Sequence, residues 1–155
     1  MNEHAIVKTI HVISSTLLFG TGIGSAFYML VASLQREPRI VAFVVRWVVV
    51  ADWVFTTTAV IVQPASGLWL ARKAGFPLGS TWIAASIVLY LVAGACWLPV
   101  VWMQLRMREM AREAAASGAS LPARYWTFFR AWVALGIPAF ASLVAVFFLM
   151  VAKPA

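Results

Sequence analysis

The stretch from Tyr125 to Val151, YWTFFRAWVALGIPAFASLVAVFFLMV, contains a single charged side chain, Arg130. About 20 helical residues are enough to cross the hydrocarbon core of a bilayer, which is ~30 Å thick. Because lipid offers no hydrogen-bond partners, a segment that crosses the core must pair its backbone groups internally, as a helix does. The stretch therefore predicts a transmembrane helix at residues 125–151.

Three more apolar stretches of this kind occupy most of the remaining chain, at residues 5–34, 40–70 and 81–105. Three of the four spans contain an internal proline, which removes a helix hydrogen bond and favours a kink. These prolines are Pro64, Pro99 and Pro138. The sequence predicts an all-α fold, an integral membrane four-helix bundle with proline-kinked spans, as a single transmembrane domain over residues 1–155.

The composition excludes an ordinary soluble domain. Hydrophobic residues make up 63% of the chain and charged residues 11%, with a mean hydropathy of +0.91, whereas soluble domains carry about 25% charged residues. The lipid bilayer is therefore the expected partner of the surface. The net charge of +7 lies mostly between the apolar runs, which indicates membrane topology and argues against nucleic-acid binding.

The basic residues also predict an orientation. Seven arginines lie at the first and third connections and the adjoining membrane edges, whereas four basic residues lie on the opposite side. The seven are Arg36, Arg39, Arg46, Arg106, Arg108, Arg112 and Arg124, and the four are Lys8, Arg72, Lys73 and Lys153. The positive-inside rule then places both termini on the periplasmic side of a bacterial inner membrane. The strongly helix-forming residues 106–113 predict that the third helix continues beyond the membrane until Gly118.

His11 is the one histidine predicted to lie inside the membrane, about two turns into the first span. Ionisable side chains are costly there, so each is a candidate for a site. A neutral imidazole in an apolar pocket suits an axial ligand of haem iron, and it also suits a ring that simply hydrogen-bonds a helix carbonyl or hydroxyl. Both interpretations stay open.

Two glycines one turn apart, Gly20 and Gly24, follow His11 on the first span. Their small size lets another helix approach closely, and it would also let a flat macrocycle lie against the helix. Gln63 on the second span and Ser86 on the third are polar residues that could line the same pocket as His11. Gln63 could instead donate to a carbonyl released by Pro64, and Tyr90 is expected to find an acceptor.

Asp52 is the one carboxylate predicted inside a span. Arg46 lies six residues earlier, on a different face of the helix, so Arg130 on the fourth span is the better partner for an ion pair. Such a pair could be structural, since it would leave no unpaired charge in lipid. Asp52, Arg46 and Arg130 could instead accept a proton or bind an anion such as a lipid phosphate.

Five segments resemble a family of small four-span bacterial proteins known as predicted integral membrane proteins of unknown function. The segments are Lys8-Thr9-Ile10-His11-Val12, Leu18-Phe19-Gly20, residues 63–70 with the sequence QPASGLWL, Trp82-Ile83, and Trp97-Leu98-Pro99-Val100. The resemblance covers nearly the whole chain and implies a four-span membrane fold.

The opening Lys-x-x-His and the Pro-x-x-Gly-Leu-Trp-Leu turn are also distantly similar to the flavin-free bacterial membrane protoporphyrinogen oxidase and to the membrane domain of copper-resistance proteins. In that oxidase the histidine matched by His11 is implicated in binding haem b. The oxidase also needs a lysine whose place falls on or beside Ser86, and the third span here has no basic residue before Arg106. The resemblance thus implies haem on His11 without implying protoporphyrinogen oxidation.

These observations leave three functional hypotheses. The first is a haem b protein, ligated by His11 and homodimeric, that acts in electron transfer, haem handling or redox sensing. The second is a non-catalytic accessory or assembly subunit of a larger membrane complex. The third is a permease for a small solute or metal ion, which requires Asp52, Gln63 and His11 to line one cavity. Phosphate-binding, hydrolase and zinc-protease motifs do not occur, and the sequence does not decide whether the protein is an enzyme.

Overall fold

Four long helices account for nearly all of the chain in the computed structural model, which describes residues 2–154. They are Glu3–Leu34, Pro38–Lys73, Thr81–Ser117 and Ala123–Ala152, and we number them first to fourth. Each is long and apolar enough to cross a membrane. Residues 2–154 contain no strand, so the predicted all-α four-span architecture is confirmed.

The third helix continues well past the arginines that mark the predicted membrane edge, to Ser117. Glu109 pairs with Arg108 at 3.1 Å and with Arg112 at 2.8 Å on this extension. Gly118 then ends the helix with φ of 69°, a left-handed conformation that glycine adopts at little cost. The predicted continuation and its end at Gly118 are both confirmed.

The second helix contains a π-helical segment, Asp52–Thr56, which the sequence did not predict. The backbone N–H of Thr57 donates to the Asp52 carbonyl, five residues back, so the segment holds one residue more than an α-helical path needs. Before this segment, Pro38–Ala51 packs mainly against the third helix; after it, Thr57–Lys73 packs against the first. The π-helical segment, with its one additional residue, thus lies where the second helix changes from packing on the third helix to packing on the first.

Pro64 lies inside the second helix, and the helix continues through it. A proline cannot donate to the carbonyl four residues earlier, which here belongs to Val60. The Tyr90 hydroxyl, on the third helix, donates to this Val60 oxygen at 2.8 Å. Tyr90 thus finds the acceptor expected of it, and it takes the role that Gln63 was one candidate to fill.

The buried core lies at the end of the bundle that carries the first and third connections. It joins Met29 of the first helix and Val45 of the second to Met107 and Tyr125 of the third and fourth. The Tyr125 hydroxyl also shares a buried 2.7 Å hydrogen bond with Ser33. Many large apolar side chains elsewhere are exposed, as expected where lipid covers the protein.

Candidate functional site

His11 lies between the first and second helices in a hydrogen-bonded group that we call the histidine cluster: His11, Ser14, Gln63 and Ser66. His11 Nδ1 is 2.9 Å from the Ser66 hydroxyl, and His11 Nε2 is 3.3 Å from the Gln63 amide nitrogen. Ser14 donates to the Gln63 side-chain oxygen. The structure therefore brings together His11 and Gln63, two of the predicted site residues, and adds the two serines.

The hydrogen bonds favour one tautomer of His11. The Ser66 hydroxyl lies 2.7 Å from the Val62 carbonyl, an acceptor, so Ser66 donates to it and accepts from His11 Nδ1–H. The Ser14 hydroxyl has two acceptors in reach, the Gln63 oxygen and the His11 carbonyl at 3.0 Å; when it donates to Gln63, the Gln63 amide nitrogen donates to His11 Nε2. The imidazole is thus neutral, with its proton on Nδ1 and its lone pair on Nε2.

Gly67 makes room for this imidazole on the second helix. A Cβ atom placed at Gly67 would lie 3.0 Å from His11 Cε1, a tighter approach than ordinary packing allows. Gly67 follows Ser66, so neighbouring positions supply both a hydrogen bond to the ring and the space for it. The sequence analysis placed Gly67 only in a motif of family resemblance and did not assign it this role.

Gly20, Gly24 and Ser86 do not join the histidine cluster through hydrogen bonds within residues 2–154. A Cβ atom at Gly20 or Gly24 would meet nothing within 4 Å, so no other helix of this chain packs closely on that face. Ser86 is buried and its hydroxyl donates to the Trp82 carbonyl of its own helix at 2.6 Å. Their roles around a cofactor remain predictions.

The expected ion pair between Asp52 and Arg130 does not form. Asp52 is buried and accepts a 2.9 Å hydrogen bond from Thr56, whereas Arg130 is exposed. Among the described residues, the carboxylate ion pairs involve only Glu109. Asp52 lies in the π-helical segment beside Gln104 of the third helix, which explains why it does not reach the fourth.

Asp52 lines a cavity of about 340 Å³ between the second and third helices, which we call the tryptophan cavity. Its wall is mostly apolar and includes three indole rings, those of Trp53, Trp97 and Trp102. Gln104 also lines it. His11 and Gln63 do not contribute to this wall.

Arg46 lines a second cavity, of about 450 Å³, together with Arg108, Arg112 and Glu109. Glu109 pairs with the other two arginines, and the Arg46 guanidinium lies 5.6 Å from the ring of Trp47. The predicted anion site at Arg46, Asp52 and Arg130 is therefore divided among three places. Arg46 lies beside two other arginines, Arg108 and Arg112, and anion binding there remains a prediction.

Within residues 2–154 no three His, Cys, Asp or Glu side chains lie close enough together to hold a metal ion.

A family model described as predicted integral membrane protein, DUF2269, matches residues 5–154. The chain belongs to this family. The match covers nearly the full length and agrees with the four apolar helices. No curated protein and no solved structure matches the chain, so the similarity to the oxidase and copper-resistance proteins stays a prediction.

Proposed function

We propose that this integral membrane protein binds haem b through His11 and acts in electron transfer, haem handling or redox sensing. The observation that carries the proposal is the orientation of the imidazole. Nδ1–H donates to Ser66, which fixes the ring and leaves the lone pair on Nε2. Metal-ligating histidines are usually held in this way, with the second nitrogen bonded to an outer partner.

Haem binding requires a rearrangement around His11, because the ring lies against Gly67 and neither described cavity adjoins it. The Gln63 amide, 3.3 Å away, covers Nε2, and it would have to rotate away for Nε2 to ligate iron. That contact is longer than the 2.9 Å bond at Nδ1, so Nε2 is the less firmly held nitrogen. Bound haem would supply one-electron chemistry at its iron.

An absorbance spectrum of the purified protein tests the proposal. Protein expressed with abundant haem and extracted in mild detergent should show a Soret band. His11→Ala should remove this band, whereas His4→Ala should retain it, because His4 lies in the exposed first turn. A colourless wild-type protein, or a Soret band that persists in His11→Ala, would overturn the proposal.

The Ser66→Ala variant tests whether His11 ligates haem iron or only packs between the helices. The Nδ1–H would lose its acceptor, which makes the imidazole a weaker electron donor and should raise the reduction potential of bound haem. Gln63→Ala should preserve or increase haem occupancy, because it uncovers Nε2. A loss of haem in Gln63→Ala would mean that the amide supports the pocket and does not block it.

A second candidate function, a non-catalytic subunit of a larger membrane complex, is favoured by a different observation. Gly20 and Gly24 lie one turn apart and no side chain of this chain fills the space beside them. Gentle extraction followed by native electrophoresis should then show a larger assembly. Gly20→Leu and Gly24→Leu should release the chain from it, while the matched Gly22→Leu, on another face of the helix, should not.

The size of the released and assembled species distinguishes a homodimer from a complex with other proteins. If the wild-type chain migrates alone after gentle extraction, this second candidate is wrong. The haem proposal does not depend on that outcome, because it is measured by absorbance.

A further inference from the structure

The second cavity, between the second and third helices, has a wall rich in arginine, and we call it the arginine cavity. Arg46, Arg108 and Arg112 contribute three positive charges to its wall and Glu109 contributes one negative charge, a net charge of +2. Its volume of about 450 Å³ equals that of a sphere about 10 Å across. The radius of such a sphere is shorter than the Debye length of ~8 Å at physiological salt, so the four charges act together on an anion inside it.

These arginines are only partly neutralised within the protein. Glu109 pairs with Arg108 at 3.1 Å and with Arg112 at 2.8 Å. Arg108 uses Nε and one terminal nitrogen for this contact, which leaves its other terminal nitrogen free of Glu109. Arg46 forms no ion pair with any side chain of residues 2–154. An outside anion can therefore pair with Arg46 without competing for it.

The charged side chains are also accessible from outside the protein. Arg46 is exposed, and the side chains of Arg112 and Arg108 are 74% and 37% exposed. A ligand can thus reach all three arginines without any movement of the helices.

Aromatic rings place the arginine cavity at the membrane surface. The Arg46 guanidinium lies 5.6 Å from the ring of Trp47, and the Arg106 guanidinium lies 6.0 Å from the ring of Trp102. Both indoles are about half exposed, as is typical of tryptophans at the level of the lipid headgroups. Arg108 follows Arg106 by two residues, or about 3 Å along the helix axis. The cavity therefore opens where the protein meets the headgroups.

Phe43 favours a lipid over a free anion as the ligand. This residue lines the arginine cavity and is 66% exposed. Contact with an apolar group would remove its surface from water, which a hydrated phosphate ion cannot do. Guanidinium groups bind phosphate through charge and paired hydrogen bonds. The wall thus suits a molecule that joins a phosphate to an apolar body.

We propose that the arginine cavity binds the headgroup phosphate of an anionic phospholipid, with Phe43 in contact with the apolar part of the lipid. Arg46 contributes a positive charge that has no partner in the protein. Arg108 and Arg112 contribute two more, which Glu109 offsets only in part. The proposal does not require bound haem.

Native mass spectrometry of the full chain in a mild non-ionic detergent tests this with two lipids. Dioleoyl phosphatidylglycerol carries a net negative charge, whereas dioleoyl phosphatidylcholine has the same phosphate and acyl chains with a compensating choline. Each net charge of the wall should contribute about fivefold, so the first phosphatidylglycerol should bind about 30-fold more tightly than the first phosphatidylcholine. Inorganic phosphate at millimolar concentration should not displace it.

Arginine variants locate the site. Arg46→Gln should reduce the preference for phosphatidylglycerol to about fivefold. Arg124→Gln is the matched control, because Arg124 is also an exposed arginine at this end of the bundle but does not line the cavity. It should change the preference by less than about twofold. If Arg46→Gln does not fold, Arg112→Gln, at a side chain 74% exposed, still decides.

Glutamate variants test the sign of the effect. Glu109→Gln removes the one negative charge of the wall and should raise the preference by about fivefold. Glu113→Gln is its control, because Glu113 lies four residues later on the same helix, is exposed and does not line the cavity. It should leave the preference nearly unchanged.

Four results would overturn the proposal. They are equal binding of the two lipids, equal losses in Arg46→Gln and Arg124→Gln, an unchanged preference in Glu109→Gln, and displacement of the lipid by millimolar inorganic phosphate. Equal losses would assign the preference to the whole basic end, and displacement would make the cavity a site for free anions. A colourless protein that still prefers phosphatidylglycerol would leave this proposal standing and remove only the haem proposal.

Discussion

The surroundings of the two halves of the second helix differ in how completely their polar groups are paired. After the π-helical segment, Gln63 and Ser66 are hydrogen-bonded to His11, and the Val60 carbonyl freed by Pro64 accepts from Tyr90. Around Asp52 and the facing part of the third helix, Gln104 and Trp97 each keep an unpartnered buried atom. The first region pairs its polar groups within the protein, whereas the second leaves two buried polar atoms unpaired among the described residues.

This difference suggests what each region contributes. A satisfied polar network in an apolar surrounding stabilises the packing of two helices and orients His11 for any further role. An unsatisfied one lowers stability until something binds. The same type of substitution should therefore change the free energy of unfolding by different amounts in the two regions.

The largest difference should come from the two glutamines. Gln63→Leu removes the partner of His11 Nε2 and one of the two acceptors of Ser14, which keeps the His11 carbonyl, so we expect a loss of about 2 kcal/mol in the free energy of unfolding. Gln104→Leu removes an oxygen that is already unpaired together with an amide that lies beside Asp52, and it should cost about 1 kcal/mol. Denaturant unfolding in detergent micelles measures both. Equal losses would show that the two regions do not differ.

The next effect concerns the close approach at the histidine cluster. Gly67→Ala places a methyl group 3.0 Å from His11 Cε1 and should destabilise the protein by about 1–3 kcal/mol through overpacking. Gly94→Ala, in the third helix, meets nothing within 4 Å and should be neutral or slightly stabilising. Thermal unfolding midpoints compare the pair. A Gly67→Ala midpoint at or above that of Gly94→Ala would mean that the ring moves aside freely.

Tyr90→Phe should cost about 1 kcal/mol, because the Val60 carbonyl then has no donor. Tyr28→Phe provides the control, since Tyr28 is 66% exposed and its loss should change stability by less than about 0.5 kcal/mol. The same unfolding assay applies. A Tyr90→Phe protein as stable as wild type would indicate that water or another group pairs with the carbonyl.

The smallest effect should come from Asp52→Asn. No arginine or lysine pairs with Asp52 among the described residues, and the amide oxygen of asparagine can still accept from Thr56. We expect a change within about 0.5 kcal/mol in unfolding free energy. A loss above about 3 kcal/mol would instead reveal a buried ion pair, of the kind expected from the sequence with Arg130.

The sequence predicted the architecture and half of the histidine cluster for identifiable reasons. Apolar length alone determines the four spans, and the cost of an imidazole in lipid draws attention to His11 and to polar residues at similar depth, such as Gln63. The π-helical segment could not be predicted, because one additional residue leaves no trace in composition. The direction in which the Asp52 side chain points depends on this additional residue of the π-helical segment. The predicted ion pair with Arg130 was therefore wrong.

The tryptophan cavity was missed for a related reason. Trp97 entered the sequence analysis only as part of a motif, and Gln104 was not considered. An amide in the third span close to Arg106 was a usable signal, since polar side chains within spans need partners. Which helix would face Gln104 still required the three-dimensional arrangement.

The π-helical segment also constrains the number of residues in the second helix. Each α-helical residue turns the chain by about 100°, so deleting one residue within Asp52–Thr56 would rotate Gln63 and Ser66 by that angle, away from His11 and towards lipid. The number of residues between Asp52 and Gln63 is therefore as constrained as their identities. Family members that shorten the helix here should compensate with an inserted residue before Gln63, or they should lack the histidine cluster altogether.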